Sequence, residues 1–534
     1  MQQTRIPDDS PKPIDEPQFH SRVFIILSCL LTARLIYAAI VPLDLAPDEA
    51  YYWDWSRQLD YGYYSKPPMV AWLIGLSTSL GGNTPFFVRL PAVLLGTIGL
   101  GFLYLLGKRM FSPQVGFWAM CAAMLTPGNV VMSLLMTIDA PLMFCWCGTL
   151  YFFWQLLEDN KQTFKWMLLA TVTCGLGFLC KQTMLGFLPL TMMYLLWQPT
   201  QRQQLKRPAV WGWAICSLLF LSPVLYWNSQ NGWITLEHTQ AHFQTNEASL
   251  LRHFVRSMEY SASQFGVASP ITYGLFVLVG FAVLLSIHKL DKKTAFLTTF
   301  SVIPLLAVWG LSFLQRIQPN WPAPFYPAGM LLLTAWALES VNLGDWLARC
   351  RPAFKPGLLV GGLCCLMTYA MPFALPLVGL KGSACDVTAR LHGWQDLGIR
   401  TAEVLQQLPD VDQQQIVAVT GRIPVSPLAF YTKGHPRVFR WNESGIVDCQ
   451  HDLWNGPKSA QSDKIMVLTE ANMKLPARLQ SAVSNIEKRN RIRVPIGYDR
   501  HHSFDVWIVT GLSDWPNPVA EPPQIAAGKQ RRTR

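Results

Sequence analysis

Asp48-Glu49-Ala50-Tyr51-Tyr52-Trp53, followed by Gly62-Tyr63-Tyr64-Ser65-Lys66-Pro67-Pro68, stands between the first two long apolar stretches of the chain. An acidic pair, a cluster of aromatic rings and a lysine are thereby confined to one short segment beside a bilayer. Charge is costly next to lipid and persists mainly where it is used. Carboxylates take protons or bind metals, a lysine holds phosphate, and aromatic rings settle at the headgroup level or stack on sugars. The combination points to a membrane enzyme with a phosphate-bearing, lipid-linked substrate. The plainer reading is an aromatic belt with incidental charges.

Composition supports the membrane class. Of 534 residues, 51% are hydrophobic and 14% charged, against roughly 25% charged in a soluble domain. Apolar runs near the ~20 residues that cross a bilayer fall at 23–41, 88–107, 114–134, 140–157, 164–180, 183–197, 209–226, 271–287, 294–313, 322–340 and 356–378. The expectation is an α-helical polytopic membrane protein of about eleven spans with a C-terminal α/β domain. Its divisions are an N-terminal cytoplasmic segment over 1–22, a membrane domain over 23–378, an α/β domain over 379–515 and a disordered basic tail over 516–534. The first apolar run is long enough to remain as an anchor rather than a cleaved signal.

The net charge of +11 would suggest nucleic acid in a soluble protein, but topology accounts for most of it. Lys108 and Arg109, Lys161 and Lys165, Arg202, Lys206 and Arg207, Lys289, Lys292 and Lys293, and Arg349, Arg351 and Lys355 fall in one set of alternate loops. By the positive-inside rule that set is cytoplasmic, and the loops 42–87 and 227–270, with everything after 378, lie outside. In the C-terminal region the pattern suggests helices over 394–407 and 476–488 and strands over 415–419, 464–468 and 504–509. Cys385 and Cys449 are the pair able to form a disulfide there. Cys145 and Cys147 point to different helix faces, which argues against a metal site.

The outside charges form one constellation: Asp48, Glu49, Lys66, Arg89, Asp139, Lys181, several charges over 238–259, and Arg316 just before Pro319-Asn320-Trp321-Pro322. Each has an ordinary alternative, such as a helix cap or a solvated face. Together they suit a phosphate diester and a hydroxyl nucleophile.

The chain resembles the GT-C glycosyltransferases that use polyprenyl-phosphate sugars: protein O-mannosyltransferases, lipid A aminoarabinose transferases and lipopolysaccharide galacturonosyltransferases. The likeness rests on Asp48-Glu49, Tyr64-Ser65-Lys66-Pro67-Pro68, Thr137-Ile138-Asp139-Ala140-Pro141-Leu142, Gly177-Phe178-Leu179-Cys180-Lys181-Gln182-Thr183, Pro319-Asn320-Trp321-Pro322-Ala323-Pro324, Gly393-Trp394 and His451-Asp452-Leu453-Trp454. The resemblance implies that Asp48 is the catalytic acid–base residue with Glu49 as its partner. It also implies that Lys66 meets the lipid phosphate and that Trp321 lies near the sugar-phosphate. Two departures leave the substrates open. Tyr51 stands where the aminoarabinose transferases have an arginine, and Ser65-Lys66 where galacturonosyltransferases often have Asp-His.

The expected function is inverting transfer of a sugar from a polyprenyl-phosphate donor to a hydroxyl of lipid A, lipopolysaccharide, another glycan or protein. The catalytic candidates are Asp48, Glu49 and Asp139. The substrate-binding candidates are Lys66, Arg89, Lys181, Arg316, Trp321 and Tyr64. No cofactor is expected: a divalent metal between Asp48 and Asp139 is the less favoured route, because the cations can serve in its place. The expected setting is a bacterial inner membrane with a periplasmic site, with membrane lipids as partners and no nucleic acid. The alternative is a transporter or flippase of lipid-linked sugars, which would place charges near the bilayer midplane.

Overall fold

The computed structural model describes residues 16–241, 249–408, 415–457 and 464–516. The N-terminal segment before residue 16, His242 and the tail beyond 516 lie outside the described residues. Helices fill the chain up to residue 377. The first apolar helix, α1 (Glu16–Ile40), is followed by two short helices of the polar segment, α2 (Pro47–Ser56) and α3 (Met69–Gly81), and then by α4 (Pro85–Met110). Next come α5 (Pro113–Met124), α6 (Pro127–Leu134), α7 (Asp139–Glu158), α8 (Thr163–Cys180) and α9 (Phe187–Trp197). The series continues with α10 (Pro208–Leu219), α11 (Ser222–Gln230), α12 (Ile234–Ala241), α13 (Leu250–Ala268) and α14 (Pro270–Leu285). It ends with α15 (Lys292–Thr299), α16 (Val302–Leu314), α17 (Tyr326–Ala337), α18 (Asp345–Ala348) and α19 (Phe354–Leu377).

The chain is a polytopic membrane protein. Among the described residues, 7 helical runs are long and apolar enough to cross a bilayer, or 9 if the bent pairs α5–α6 and α13–α14 each count as a span. The eleven expected stretches include two more that fall short of that length. The remaining two stretches are α9 and α17, only 11 and 12 residues long. Part of each stretch is wound instead as a short 3₁₀ segment, over Gln182–Gly186 and Ala323–Phe325. The bends have local causes. At Thr126-Pro127 the proline cannot continue the ladder of α5, and the Thr126 side chain caps the new helix by accepting from the Asn129 N–H. The pair turns there by 73°. At Ser269-Pro270 the left-handed backbone of Ser269 (φ 69°) precedes a turn of 116°.

Beyond α19 the chain builds a small sheet. Its elements are α20 (Trp394–Leu405), β1 (Gln415–Val419), α21 (Val425–Tyr431), β2 (Val438–Arg440), α22 (Gln450–Leu453), β3 (Lys464–Glu470), α23 (Ala477–Ala482), β4 (Asn485–Gly497) and β5 (Arg500–Thr510). The strand order is β2-β1-β3-β5-β4. β1 runs parallel to β2 and β3, and β5 antiparallel to β3 and β4. The helix expected over 476–488 stops at Ala482, and β4 begins at Asn485. β4 is an edge strand rich in lysine and arginine, the usual way such edges are kept from pairing with other chains. Cys385 and Cys449 do not pair: all twelve cysteines are free.

α2 joins the two parts. Its aromatic residues Tyr51, Tyr52, Trp53 and Trp55 are buried, so the run that reads as a membrane belt is largely a docking face. Trp53 meets Phe430 edge-on at 4.8 Å, and Tyr51 stacks on His451 at 5.2 Å. The Tyr51 hydroxyl accepts from the Gln450 N–H at 2.6 Å. Buried Asp54 receives the Ser426 hydroxyl at 3.1 Å and lies 3.0 Å from His451 Nε2. On the loop before α2, Asp44 accepts from the Trp394 and Gln395 N–H groups, at 2.8 and 3.3 Å, and so caps α20.

Asp54→Ala should therefore loosen the sheet region without disturbing the membrane helices. Leaving Ser426 and His451 without their acceptor should cost about 1–3 kcal/mol. Hydrogen exchange over 425–454 should rise while exchange in α4 and α7 stays as it was; unchanged protection in both regions would refute this docking role.

Candidate active site

α2 begins at Pro47, with Asp48 and Glu49 in its first turn, where the positive end of the helix dipole favours acids. The two neighbours have opposite fates. Glu49 is fully buried, whereas the Asp48 side chain is 54% exposed.

Each Glu49 oxygen accepts two hydrogen bonds. Oε1 takes Arg89 Nε at 3.2 Å and the Met136 N–H at 2.9 Å. Oε2 takes Arg89 Nη2 at 3.1 Å and the Ala46 N–H at 2.9 Å. Arg89 also donates to the Leu43 and Asp44 carbonyls at 3.3 and 2.7 Å. Both residues were expected to act on substrate, yet the structure closes them on each other with no lone pair directed outward.

A second buried pair lies below the mouth. Lys181 Nζ is 2.7 Å from Asp139 Oδ1, and Asn320 Nδ2 donates to Asp139 Oδ2 at 2.6 Å. Asp139 thus ties the turn after α8 to the turn that carries Trp321. Lys66, half-buried on the loop before α3, is brought into this field: Lys181, Asp139, Asp48 and Arg422 all act on it. Burial, reinforced by Lys181, lowers its pKa to about 8. Among the described residues no carboxylate lies within ion-pair distance of Lys66, so its charge is available to a ligand.

The other expected residues stand apart. Tyr64 is buried against the sheet region: its N–H donates to Gln450 Oε1 at 2.7 Å, and its ring meets His238 at 4.8 Å. Arg316 is exposed and makes no ion pair among the described residues. His253 and Arg256, on α13, bind carbonyls at the end of α16, those of Phe313 and Leu314, where the helix dipole favours cations.

Two site residues escape a reading of the sequence. Arg422, between β1 and α21, reaches over the mouth, with Nη2 3.1 Å from Asp48 Oδ1 and its guanidinium 5.2 Å from the centre of the Tyr51 ring. Buried Tyr52 sits in the field of Asp48, Arg422 and Asp139. Nothing in the sequence signals Arg422, because it lies on a polar loop far along the chain from Asp48. Tyr52 is masked among neighbouring aromatics. Among the described residues the ligand set nearest to a metal cluster is Asp448, Cys449 and Asp452. Arg440 Nη1 already lies among them, 2.6 Å from Asp452 Oδ2 and 3.4 Å from Cys449 Sγ, so a guanidinium supplies the positive charge there.

An apolar cavity adjoins the cluster between α4, the α5–α6 bend, α7 and α17, lined in part by Gly96, Asn129, Ala140, Met143 and Ala323. Ala140 follows Asp139 directly, and Ala323 lies two residues after Trp321.

Residues 65–227 match the family model for dolichyl-phosphate-mannose-protein mannosyltransferase. Superposed on ArnT from Cupriavidus metallidurans bound to undecaprenyl phosphate, the fold covers 91% of this chain and 98% of that one, with a TM-score of 0.58 and 15% identity. The chain shares the fold of that transferase. In sequence it is 29% identical, over 57% of its length, to the lipid A galacturonosyltransferase RgtD of Rhizobium johnstonii, and this match spans 63% of the relative. It is 27% identical, over 32% of its length, to the undecaprenyl phosphate-alpha-4-amino-4-deoxy-L-arabinose arabinosyl transferase of Pseudomonas savastanoi, spanning 36% of that relative. The chain thus spans less than two thirds of the length of either of these relatives.

Arg89→Met, which strands the Glu49 carboxylate in the interior, should destabilise the protein by about 3–5 kcal/mol. The Glu49→Gln/Arg89→Met double variant should recover part of that loss, and Asp48→Asn should stay within about 0.5 kcal/mol of wild type. Unfolding midpoints in detergent check all three; equal midpoints for Arg89→Met and wild type would contradict the pairing.

Proposed function

We propose that the protein is an inverting glycosyltransferase. It moves a sugar from a polyprenyl-phosphate donor to a hydroxyl of lipid A or lipopolysaccharide, at the periplasmic face of a bacterial inner membrane. One juxtaposition carries this reading: an unpaired, half-buried lysine in the field of an exposed carboxylate and of Asp139, whose neighbour Ala140 lines an apolar cavity inside a membrane bundle. The named activities of RgtD and of the arabinosyl transferase support it, as does the undecaprenyl phosphate bound by ArnT.

Each step has a residue. Lys66 binds the donor phosphate, and the cavity receives the first part of the prenyl chain. The acceptor hydroxyl lies against Asp48, whose carboxylate takes its proton as the oxygen attacks the anomeric carbon from the face opposite the phosphate. The bond from that carbon to the phosphate oxygen breaks, and the electron pair leaves with the polyprenyl phosphate. The proton on Asp48 passes to solvent through the exposed mouth. General-base assistance of this kind is typically worth ~10²–10⁴-fold, and a preorganised cation facing the leaving phosphate a few kcal/mol, roughly 3. Asp139, holding Lys181 and Asn320, positions the neighbouring charge and the Trp321 turn. Glu49 and Arg89 serve as the frame, and Arg316 and Tyr64 have no direct part. A transporter is the weaker reading, since the cluster is gathered at the ends of α2, α7 and α8 rather than midway along a span.

Two outcomes follow. Asp48→Asn should lower turnover by at least about 100-fold while the variant still binds a polyprenyl-phosphate sugar; equal turnover would remove Asp48 as the base. Lys66 is a cation below its pKa and neutral above it, so donor affinity should be full near pH 6 and fall as the pH passes about 8, well below an ordinary lysine. Binding titrations from pH 6 to 10 check this, and Lys66→Arg should shift the fall to higher pH. An affinity constant up to pH 10 in the wild type would exclude Lys66 as the phosphate ligand.

A further inference from the structure

Among the described residues, the ion pairs at the mouth leave one cation over, Lys66, and one paired cation with donors to spare, Arg422. Asp139 is balanced by Lys181, Glu49 by Arg89 and Asp48 by Arg422. Lys66 remains for one negative charge, the phosphodiester. Arg422 is the second opening. Its side chain is 44% exposed, and its ion pair with Asp48 is made through Nη2. Among the described residues its other nitrogens make no hydrogen bond. The guanidinium is a fork with five N–H donors, able to hold a second carboxylate without releasing the first. This fold shows that use of an arginine elsewhere: Arg440 holds Asp448 and Asp452 together. The Tyr51 ring below fixes the plane of the Arg422 fork.

We infer that Arg422 is a specificity-determining residue that reads a carboxylate on the transferred sugar, so the donor is a uronic acid linked to polyprenyl phosphate. This rests on the glycosyltransferase reading and deepens it. Lys66 meets the phosphate at one end of the donor head, and Arg422 meets the sugar carboxylate at the other, with the anomeric carbon between them and Asp48 beside it. A neutral hexose leaves the spare edge of Arg422 unmatched. An amino sugar places a cation against it, and like charges repel. The sheet region thus acts directly at the site, as the carrier of the residue that selects the sugar.

The test compares a polyprenyl-phosphate uronic acid with the matching neutral hexose, in which only the carboxylate is replaced by a hydroxymethyl group. Wild type and the Arg422→Gln and Arg422→Lys variants are reconstituted in lipid, and kcat and KM are measured for both donors. Binding of the two non-transferable phosphonate analogues is measured in parallel. The wild type should prefer the uronate donor, and Arg422→Gln should shrink that preference roughly 10- to 100-fold, chiefly through KM. Arg422→Lys should retain part of it, and the analogues should show the same ratio in Kd. Equal losses for both donors in Arg422→Gln would overturn the inference and make Arg422 a residue that only positions Asp48. So would a wild type that does not discriminate. If the wild type turns over neither donor while the analogues still discriminate through Arg422, the transfer reading fails and the carboxylate contact stands.

Discussion

The buried ion pair between Glu49 and Arg89 decides where everything else at the site can stand. Removing two charges from water is costly and is repaid only by close geometry and complete hydrogen bonding. Here every lone pair of the Glu49 carboxylate is matched, by Arg89 and by the N–H groups of Ala46 and Met136. The pair locks the first turn of α2 to α4 and to the segment that leads into Asp139. With Glu49 held inward, the helical geometry turns its neighbour Asp48 outward to the mouth. The acidic pair is therefore one buried structural residue and one residue exposed at the mouth.

The same helix is fixed from the other side by the sheet region. Asp54, two turns beyond Asp48, meets Ser426 and His451, while Tyr51 and Trp53 pack on His451 and Phe430. A helix of 10 residues has little stability of its own in water. It owes its place to two partners, one within the membrane bundle and one outside it. Because both partners reach the mouth, the site is shared: Lys66, Asp139 and Lys181 come from the bundle, and Arg422 from the sheet region. Mutations at the docking face would then alter activity without touching the substrate.

Much of this was legible in the sequence. The apolar runs located all 7 of the long helical spans, and Asp48, Lys66, Asp139, Lys181 and the Trp321 turn stood out as charges or motifs at the ends of spans. The two stretches beyond these are shortened by the 3₁₀ segments ahead of α9 and α17, which length and hydropathy do not register. The helix assigned through Lys488 failed because β4 is an edge strand with a mostly exposed face, and its charges hide the strand alternation. Burial was invisible to pattern, so Glu49 and Asp48 looked alike, as did Arg89 and Lys66. Of Gly393-Trp394 and His451-Asp452, Trp394 and His451 make contacts between the two parts of the protein, while Asp452 binds Arg440 within the sheet region. Arg422 could not be found at all, since its pairing with Asp48 joins segments that only the folded chain brings together.

The central claim is that the donor phosphate binds at Lys66, with its anomeric carbon facing Asp48. The most direct measurement is a cryo-EM structure in lipid nanodiscs with a polyprenyl-phosphate sugar and the Asp48→Asn variant. The phosphate should lie within hydrogen-bond distance of Lys66 Nζ, about 2.7–3.2 Å, with the prenyl chain in the cavity beside Ala140 and the sugar under Arg422. A donor phosphate bound elsewhere, with Lys66 facing water, would contradict it.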